Sequence, residues 1–443
     1  MDRGMGDSTL NKTRSVKSEI NRPFRRLAIQ IRSEFLGPSQ DESRTGLRVV
    51  LYSHDTMGVG HMRRNLLIAN QITRTIEGAS ILVIAGAKEA NTFAQRAGVD
   101  CLTLPAFRKK SNGTYTTRNL GISADDILDV RSKTILAAIQ SFKPDLFIVD
   151  KVPAGAGGEL LPTLDWLTRY GDCQCILGLR DILDCPEFAI QDWNRTHCNT
   201  VIRNHFDRIW IYGDREVYDA VKEYQFPNDI AQMISYTGYL NTESRLQNLG
   251  QLPYEIAVPY VLCTVGGGQD GEILANCFVD AIHQSPRNSV LLTGPYMPKA
   301  TVNSIRNRAE SIPQLKVVEF VDEGDLLIRH ASHVVSMGGY NTVSAILSHK
   351  KPAIIVPRCE PRKEQLIRAD RLAELGLVAS LHPDQLNANA IIDWIQNTPS
   401  ELPAHQPLNM QGLGCISQFI SNEISPKTLN GSPANGASNH DRN

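Results

Sequence analysis

The segment best suited to chemistry is Ser53-His54-Asp55-Thr56-Met57-Gly58-Val59-Gly60-His61-Met62-Arg63-Arg64, which follows a short β-rich run and leads into a helical pattern. Gly58 and Gly60 let the backbone turn tightly and leave amide N–H groups where the positive end of a helix dipole favours an anion. His61 stands at the mouth of this turn, and an imidazole with an ordinary pKa near 6.5 is matched to taking a proton from a hydroxyl or water. A histidine that caps the helix or orders the loop is an equally good local reading. Arg64 closes the segment with a permanent positive charge.

Two further glycine turns occupy equivalent positions later in the chain. Gly266-Gly267-Gly268-Gln269-Asp270-Gly271 sits between an apolar run and a helical one, as does Met337-Gly338-Gly339-Tyr340-Asn341-Thr342. Small residues at a strand-to-helix turn allow main-chain N–H groups to approach a diphosphate closely. Neither segment is the dinucleotide fingerprint or a Walker loop, since the glycine spacing differs and no Lys-Ser/Thr follows. A plain tight turn explains either one alone, but chance explains the pair less easily. Beyond them, Glu364 and Gln365 follow an arginine-rich turn carrying Arg358 and Arg362. Gln365 has the amide needed to hydrogen-bond sugar hydroxyls, although in isolation these residues also read as solvated polar groups.

The elements that must position these groups alternate between strand and helix. Leu47–Ser53, Ser80–Ala85, Asp145–Asp150, Gln174–Leu179 and Arg208–Tyr212 are short apolar runs trailed by polar or Gly/Pro residues, the pattern of parallel strands buried on both faces. Asn65–Ile76 has helical period and completes a βαβ unit. After a polar, turn-prone stretch the pattern restarts with Tyr260–Val265, a helix over Glu272–Ile282, then strands at Ser289–Thr293, Lys316–Phe320, His333–Ser336 and Ala353–Val356, with a helix over Val343–Ser348. The predicted fold class is α/β: two facing Rossmann-like domains with parallel sheets and an interdomain cleft. The boundaries read as an N-terminal extension 1–46, a first domain 47–240, a linker 241–257, a second domain 258–424 and a disordered tail 425–443. Ligands of open parallel sheets sit outside the carboxyl ends of the strands, where all the glycine turns fall.

Bulk properties narrow the function classes. A chain of 443 residues is too long for one core, and its 42% hydrophobic and 21% charged residues are ordinary for folded protein. The net charge of −1 gives no long-range field for nucleic acid, so no nucleic-acid partner is expected. Nine scattered cysteines fit reduced thiols in a cytoplasmic protein. Cys173 and Cys175 lack a second Cys/His pair that would make a zinc site. No apolar run reaches the roughly 18 residues that span a bilayer. Within the N-terminal extension, Phe24, Leu27, Ala28, Ile31 and Phe35 recur at helical spacing beside Arg25, Arg26 and Arg32. Such a basic amphipathic helix can lie on the inner face of a membrane as a peripheral contact, or dock on the protein's own body.

Taken together, the four segments resemble glycosyltransferase family 28. The likeness is strongest over Phe320 to Val378, where Glu319-Phe320-Val321-Asp322, then Met337 to Val343, then Pro352–Pro357 and Gln365–Ala369 follow the order of that family's donor domain. The resemblance implies the GT-B fold, no metal and no cofactor, and a UDP-sugar as substrate held mainly by the second domain. It implies uracil against the backbone near Val321, and the diphosphate at Gly266, Gly267 and Gly268 and around Gly338, Gly339, Asn341 and Thr342. Glu364 and Gln365 would reach the sugar, and His61 would lie near the transferring centre, with Asp150 and Asp181 as alternative bases. The implied activity is hexosyl or N-acetylhexosaminyl transfer from a nucleotide-sugar donor to an unidentified acceptor, a lipid-linked one among the options. One departure stands out. Where the family carries a glutamate for the ribose hydroxyls, this chain has Ala345, and two lost charged contacts of roughly 1.5 kcal/mol or more each would weaken the site about a hundredfold. A nucleotide-sugar hydrolase on the same fold, or a non-catalytic nucleotide-binding relative, are the competing readings. Oligomeric state is not encoded in any feature of the sequence.

Overall fold

The apolar runs of the first half are strands of one parallel sheet: β1 (Arg48–Ser53), β2 (Ser80–Ala85), β3 (Val99–Thr103), then, after a separate antiparallel hairpin of β4 (Phe107–Lys109) and β5 (Tyr115–Thr117), β6 (Leu146–Asp150), β7 (Gln174–Arg180), β8 (Arg208–Tyr212) and β9 (Ile234–Tyr236). Their spatial order is β3-β2-β1-β6-β7-β8-β9. The computed structural model describes residues 46–424 apart from 55–59, 87–96, 110–114, 119, 247–251, 253–255, 322 and 401–407. The expected N-terminal amphipathic helix, the tail from Ser425 and Gly58 lie outside the described residues. Among the described residues, no helix is long and apolar enough to cross a membrane.

Period-two alternation explains why the sheet is covered on both sides. Val49 and Leu51 of β1 belong to one buried cluster, whereas Val50 and Tyr52 belong to the other. Helix α1 (Gly60–Thr75) covers the first face through Leu66, Leu67, Ile68, Ala69 and Ile72. It begins five residues before the expected start at Asn65, so His61 and Arg64 lie in its first turns and not in the preceding loop. Gly60 and Met62 were assigned to the turn because glycine disfavours helix interiors; at the terminus that cost is small.

The second sheet contains β10 (Tyr260–Thr264), β11 (Ser289–Leu292), β12 (Leu315–Val318), β13 (Ala331–Ser336), β14 (Ala353–Ile355) and β15 (Ala379–Ser380), all parallel, in the order β12-β11-β10-β13-β14-β15. Helices α2 (Glu272–Gln284), α3 (Tyr340–Ser348) and α4 (Glu364–Glu374) follow β10, β13 and β14. Both sheets therefore reverse strand order once, between β1 and β6 and between β10 and β13, and such a reversal opens a crevice at the carboxyl ends of the flanking strands.

The second domain was expected to run to residue 424, but the last helix, α5 (Gly412–Phe419), and the turn Ile420–Ile424 pack on the first domain. Leu413, Ile416, Ile420 and Ile424 share a cluster with Leu67 and Trp210. The Ser417 hydroxyl accepts from Gln71 Nε2 at 3.2 Å and Thr75 Oγ1 at 3.1 Å, and Phe419 meets Trp210 edge-on with centroids 5.2 Å apart. The apolar period of this segment specifies burial, but nothing local specifies which domain it buries against.

Candidate active site

His61 and Asp150 come from the two sides of the first strand reversal, His61 from the helix after β1 and Asp150 from the last residue of β6. His61 Nδ1 lies 2.6 Å from Asp150 Oδ2, and Arg64 Nη2 donates to both carboxylate oxygens at 2.5 and 2.7 Å. An ionised carboxylate only accepts, so Nδ1 carries the proton and Nε2 keeps its lone pair. Burial opposes the charge on Asp150, but Arg64 and His61 outweigh it and hold the carboxyl below its ordinary pKa. Burial dominates at His61 and brings its pKa down to about 4 despite Asp150. Its side chain keeps 17% exposure. The imidazole is thus neutral, oriented by a carboxylate and reachable. The arrangement is that of a proton acceptor with its orienting group. Asp150, expected as an alternative base, is instead the group that fixes the histidine.

Asp181 is not available as a base. It is 1% exposed, receives Arg368 Nε at 2.8 Å and Nη2 at 2.6 Å, and accepts from Tyr239 Oη at 2.9 Å and from the Ile182 amide. Arg368 comes from α4 of the second domain and also donates to the Gly338 carbonyl at 2.8 Å. This fully buried pair joins the domains. Arg64 extends the join, its guanidinium 5.8 Å from the Tyr212 ring and 5.4 Å from the Tyr340 ring. Tyr340 in turn stacks on Tyr239 with centroids 6.1 Å apart.

Across the cleft, the turns after β10 and β13 flank the second strand reversal. Neither α2 nor α3 has a side-chain cap, so their first-turn N–H groups remain available. Gly268 has φ +92°, and a Cβ there would lie 2.3 Å from the Thr293 carbonyl, so the turn requires glycine. A cavity of about 250 Å³ extends from this turn. Gly60, Arg63 and Arg64 of the first domain and Gly266, Gly267, Val321, Tyr340, Asn341, Thr342 and Ser344 of the second form its wall. Phe320 also lines it, with Arg63 stacked 5.9 Å from the ring centroid. A neighbouring cavity of about 190 Å³ is bounded by Gly266–Gly268, Gln269, Asp270, Gly339, Thr342, Arg358 and Gln365. Gly266, Gly267 and Thr342 line both cavities.

Several expected ligand residues have other partners. Gly338 lines neither cavity; its missing Cβ makes room for the Gln365 carbonyl, which a Cβ would approach to 2.9 Å. Asn341 Nδ2 donates across the cleft to the Gly60 carbonyl at 2.9 Å. Gln365 Oε1 accepts from the Arg358 amide at 3.1 Å. Glu364 is 5% exposed and pairs with Arg358 at 2.7 Å through Oε1, while its Oε2 is buried without a partner. Burial pushes the Glu364 pKa up, but Arg180, Arg358 and Arg368 outweigh it and keep the carboxylate ionised.

The sequence alone did not show three features: the roles of Arg63 and Phe320, the interdomain arginine Arg368, and a fourth glycine turn, Gly155-Ala156-Gly157-Gly158, after β6. Gly155, Gly157 and Gly158 all have positive φ. Behind this turn the buried Glu159 carboxylate binds Arg131 Nη2 at 2.7 Å and the Tyr52 hydroxyl. The glycine spacing was visible in the sequence; the ion network behind it was not.

Residues 261–409 match the model of the glycosyltransferase family 28 C-terminal domain. No curated protein sequence matches the chain. Among solved structures, MurG of Acinetobacter baumannii is 13% identical with a TM-score of 0.51, over 86% of this chain and 99% of that one. The calicheamicin glycosyltransferase CalG4 is 15% identical with a TM-score of 0.51, over 86% and 94%. A putative UDP-N-acetylglucosamine 2-epimerase from Listeria monocytogenes is 13% identical with a TM-score of 0.55, over 86% and 97%. At these identities the likeness establishes the fold, which hosts more than one chemistry. The chain has the GT-B fold, and its second domain is a glycosyltransferase family 28 C-terminal domain.

Proposed function

We propose that the protein is a metal-independent glycosyltransferase that moves a hexosyl or N-acetylhexosaminyl group from a UDP-sugar to an acceptor hydroxyl. The observation that carries this reading is the neutral, Asp150-oriented His61 in the first turn of the helix whose Gly60, Arg63 and Arg64 line the larger cavity together with Tyr340, Asn341 and Thr342 at the uncapped start of α3. The larger cavity takes the nucleoside, with the base between Phe320 and the Val321 backbone. The smaller one takes the sugar, and the diphosphate passes Gly266, Gly267 and Thr342, the residues common to both. Gln365 lines the smaller cavity and supplies an acceptor for sugar hydroxyls, while Glu364, which lines neither cavity, holds Arg358 on its wall.

In the reaction, His61 Nε2 takes the proton of the acceptor hydroxyl while its oxygen bonds to the anomeric carbon. The bond from that carbon to the diphosphate oxygen breaks, and UDP leaves with the electron pair. Main-chain N–H groups of the glycine turns and the α3 dipole stabilise the charge that develops on the leaving group, the role otherwise given to a metal. The crystal structure of the glycosyltransferase VinC in complex with dTDP supplies a precedent for a nucleoside diphosphate on this fold. The test is UDP release from a panel of UDP-sugars in the presence of acceptor extracts. Wild type is expected to turn over, and His61→Ala to lose about 10²- to 10⁴-fold in kcat with UDP affinity retained. Absence of UDP binding, or free sugar released rapidly without any acceptor, would overturn the reading.

A further inference from the structure

Every charged group in the cleft floor has a partner within the protein except one. Arg64 pairs with Asp150, Arg368 with Asp181, and Arg358 with Glu364 and Asp270. The side chain of Arg180, the last residue of β7, makes no hydrogen bond or ion pair among the described residues, and its Nε is buried. The charged groups nearest it in effect are Arg368 and Arg64, then Glu364 and Asp181; each is held directly by another residue, and Glu364, whose Oε2 has no partner, acts on Arg180 only from beyond ion-pair distance. Burial and the two like charges depress the Arg180 pKa. A guanidinium left in this state is unfavourable unless something brings it a negative charge.

Position indicates which reactant supplies that charge. β7 pairs with β6 so that Gly178 lies opposite Asp150, and Arg180 is two residues further toward the cleft on the same face of the strand. Arg180 therefore projects from the first domain beyond the His61–Asp150 pair. It lines neither the cavity assigned to the nucleoside nor the one assigned to the sugar. A diphosphate running between those cavities past Gly266 and Thr342 does not account for it.

We propose that Arg180 binds an anionic group, a phosphate or a carboxylate, carried by the acceptor, so that the protein selects acceptors with a negative charge close to the hydroxyl that is glycosylated. This rests on the glycosyl-transfer reading for the word acceptor, but not for the anion site. Two N–H groups of a guanidinium match two oxygens of either anion, which fixes the acceptor's orientation as well as its charge.

The test uses the full chain saturated with UDP, which fills the donor's diphosphate site, and titrates inorganic phosphate and, separately, acetate by calorimetry. Arg180→Gln is expected to lower the affinity for the preferred anion tenfold or more, with Arg180→Lys in between and UDP affinity unchanged within twofold. The preferred anion tells a phosphorylated acceptor from a carboxylated one. In the absence of any ligand, Arg180→Gln is expected to melt at or above the wild-type temperature, because it removes a buried charge that has no direct partner and stands beside Arg368 and Arg64. Unchanged anion binding in Arg180→Gln overturns the proposal. Loss of UDP affinity in step with anion affinity assigns Arg180 to the donor and overturns it equally, and a lower melting temperature makes Arg180 a structural residue. If UDP fails to bind wild type, the donor reading falls, while the difference between wild type and Arg180→Gln in phosphate binding still decides the anion site.

Discussion

Replacing His61 by glutamine should flatten the acid side of the protein's stability profile. Folded His61 has its pKa lowered to about 4, against an ordinary value of 6.5. Between those values the unfolded chain binds a proton that the folded one rejects, so stability falls as pH drops through the window and is fully restored above pH 6.5. A separation of roughly 2.5 pKa units corresponds to about 3.4 kcal/mol, roughly three quarters of it developed by pH 4.5. Glutamine carries no titrating group and can still donate to Asp150. Urea unfolding of both proteins at pH 7.5 and pH 4.5 isolates the contribution, because the carboxylates and His54 titrate in both. The wild-type stability relative to the variant should drop by about 2.5 kcal/mol between the two pH values. The same cause leaves His61 competent as a base well below pH 6.5, so kcat/KM should show no acid limb near the ordinary histidine pKa. Equal pH dependence in the two proteins, or a limb at pH 6.5, would refute the argument that burial keeps this imidazole neutral against the pull of Asp150.

Three other outcomes follow from the geometry. Arg368→Met leaves the Asp181 carboxylate buried against only Tyr239 and the Ile182 amide and should cost about 3–5 kcal/mol in urea unfolding, whereas the double variant Asp181→Leu/Arg368→Met should recover most of that loss. Gly268→Ala places a methyl group 2.3 Å from the Thr293 carbonyl at a φ of +92°, and calorimetry should show UDP affinity reduced tenfold or more by the displaced turn. Because no carboxylate stands at position 345, UDP and its 2′-deoxy counterpart should bind within about threefold of each other; a hundredfold preference for UDP would mean that an acid elsewhere holds the ribose.

How far the sequence carried the fold depended on burial. The strands β1, β2, β6, β7, β8, β10 and β13 are continuous apolar runs, buried on both faces, and were read to within two residues. β3, β9 and β15 were missed. They sit at or next to sheet edges, and their residues are short runs of mixed polarity such as Val99-Asp100-Cys101-Leu102-Thr103, mostly only partly buried. The site divides in the same way. Glycine turns announce themselves locally, because a positive φ or a close backbone approach demands glycine wherever the chain goes next. Ion pairs do not. Asp181 and Arg368 are 187 positions apart, so each reads alone as a polar residue at the end of a strand or on the face of a helix. Asp181 therefore looked like a free base. Arg180 escaped notice because the apolar run that defines β7 ends at Leu179, one residue before the charge that matters.

The Ala345 departure changes meaning once its surroundings are known. Its side chain is completely buried among apolar neighbours such as Val343 and Ile346, and the α3 surface that meets the larger cavity is formed by Tyr340, Asn341, Thr342 and Ser344. The cavity's remaining carboxylates are Glu319 and Asp325, on the wall beside Phe320. Glu319 already holds Lys299 at 2.6 Å and Arg306 at 2.7 Å, which leaves it poorly placed to serve a ribose. In the proposed donor complex, recognition of the nucleotide then rests on its two ends: the base against Phe320 and Arg63, and the diphosphate at the glycine turns. Those contacts are apolar or made by main-chain N–H groups, and neither kind distinguishes one sugar ring from another. In the proposed reaction, selectivity passes to the groups assigned to the transferring centre, Gln365 on one side and His61 and Arg180 on the other.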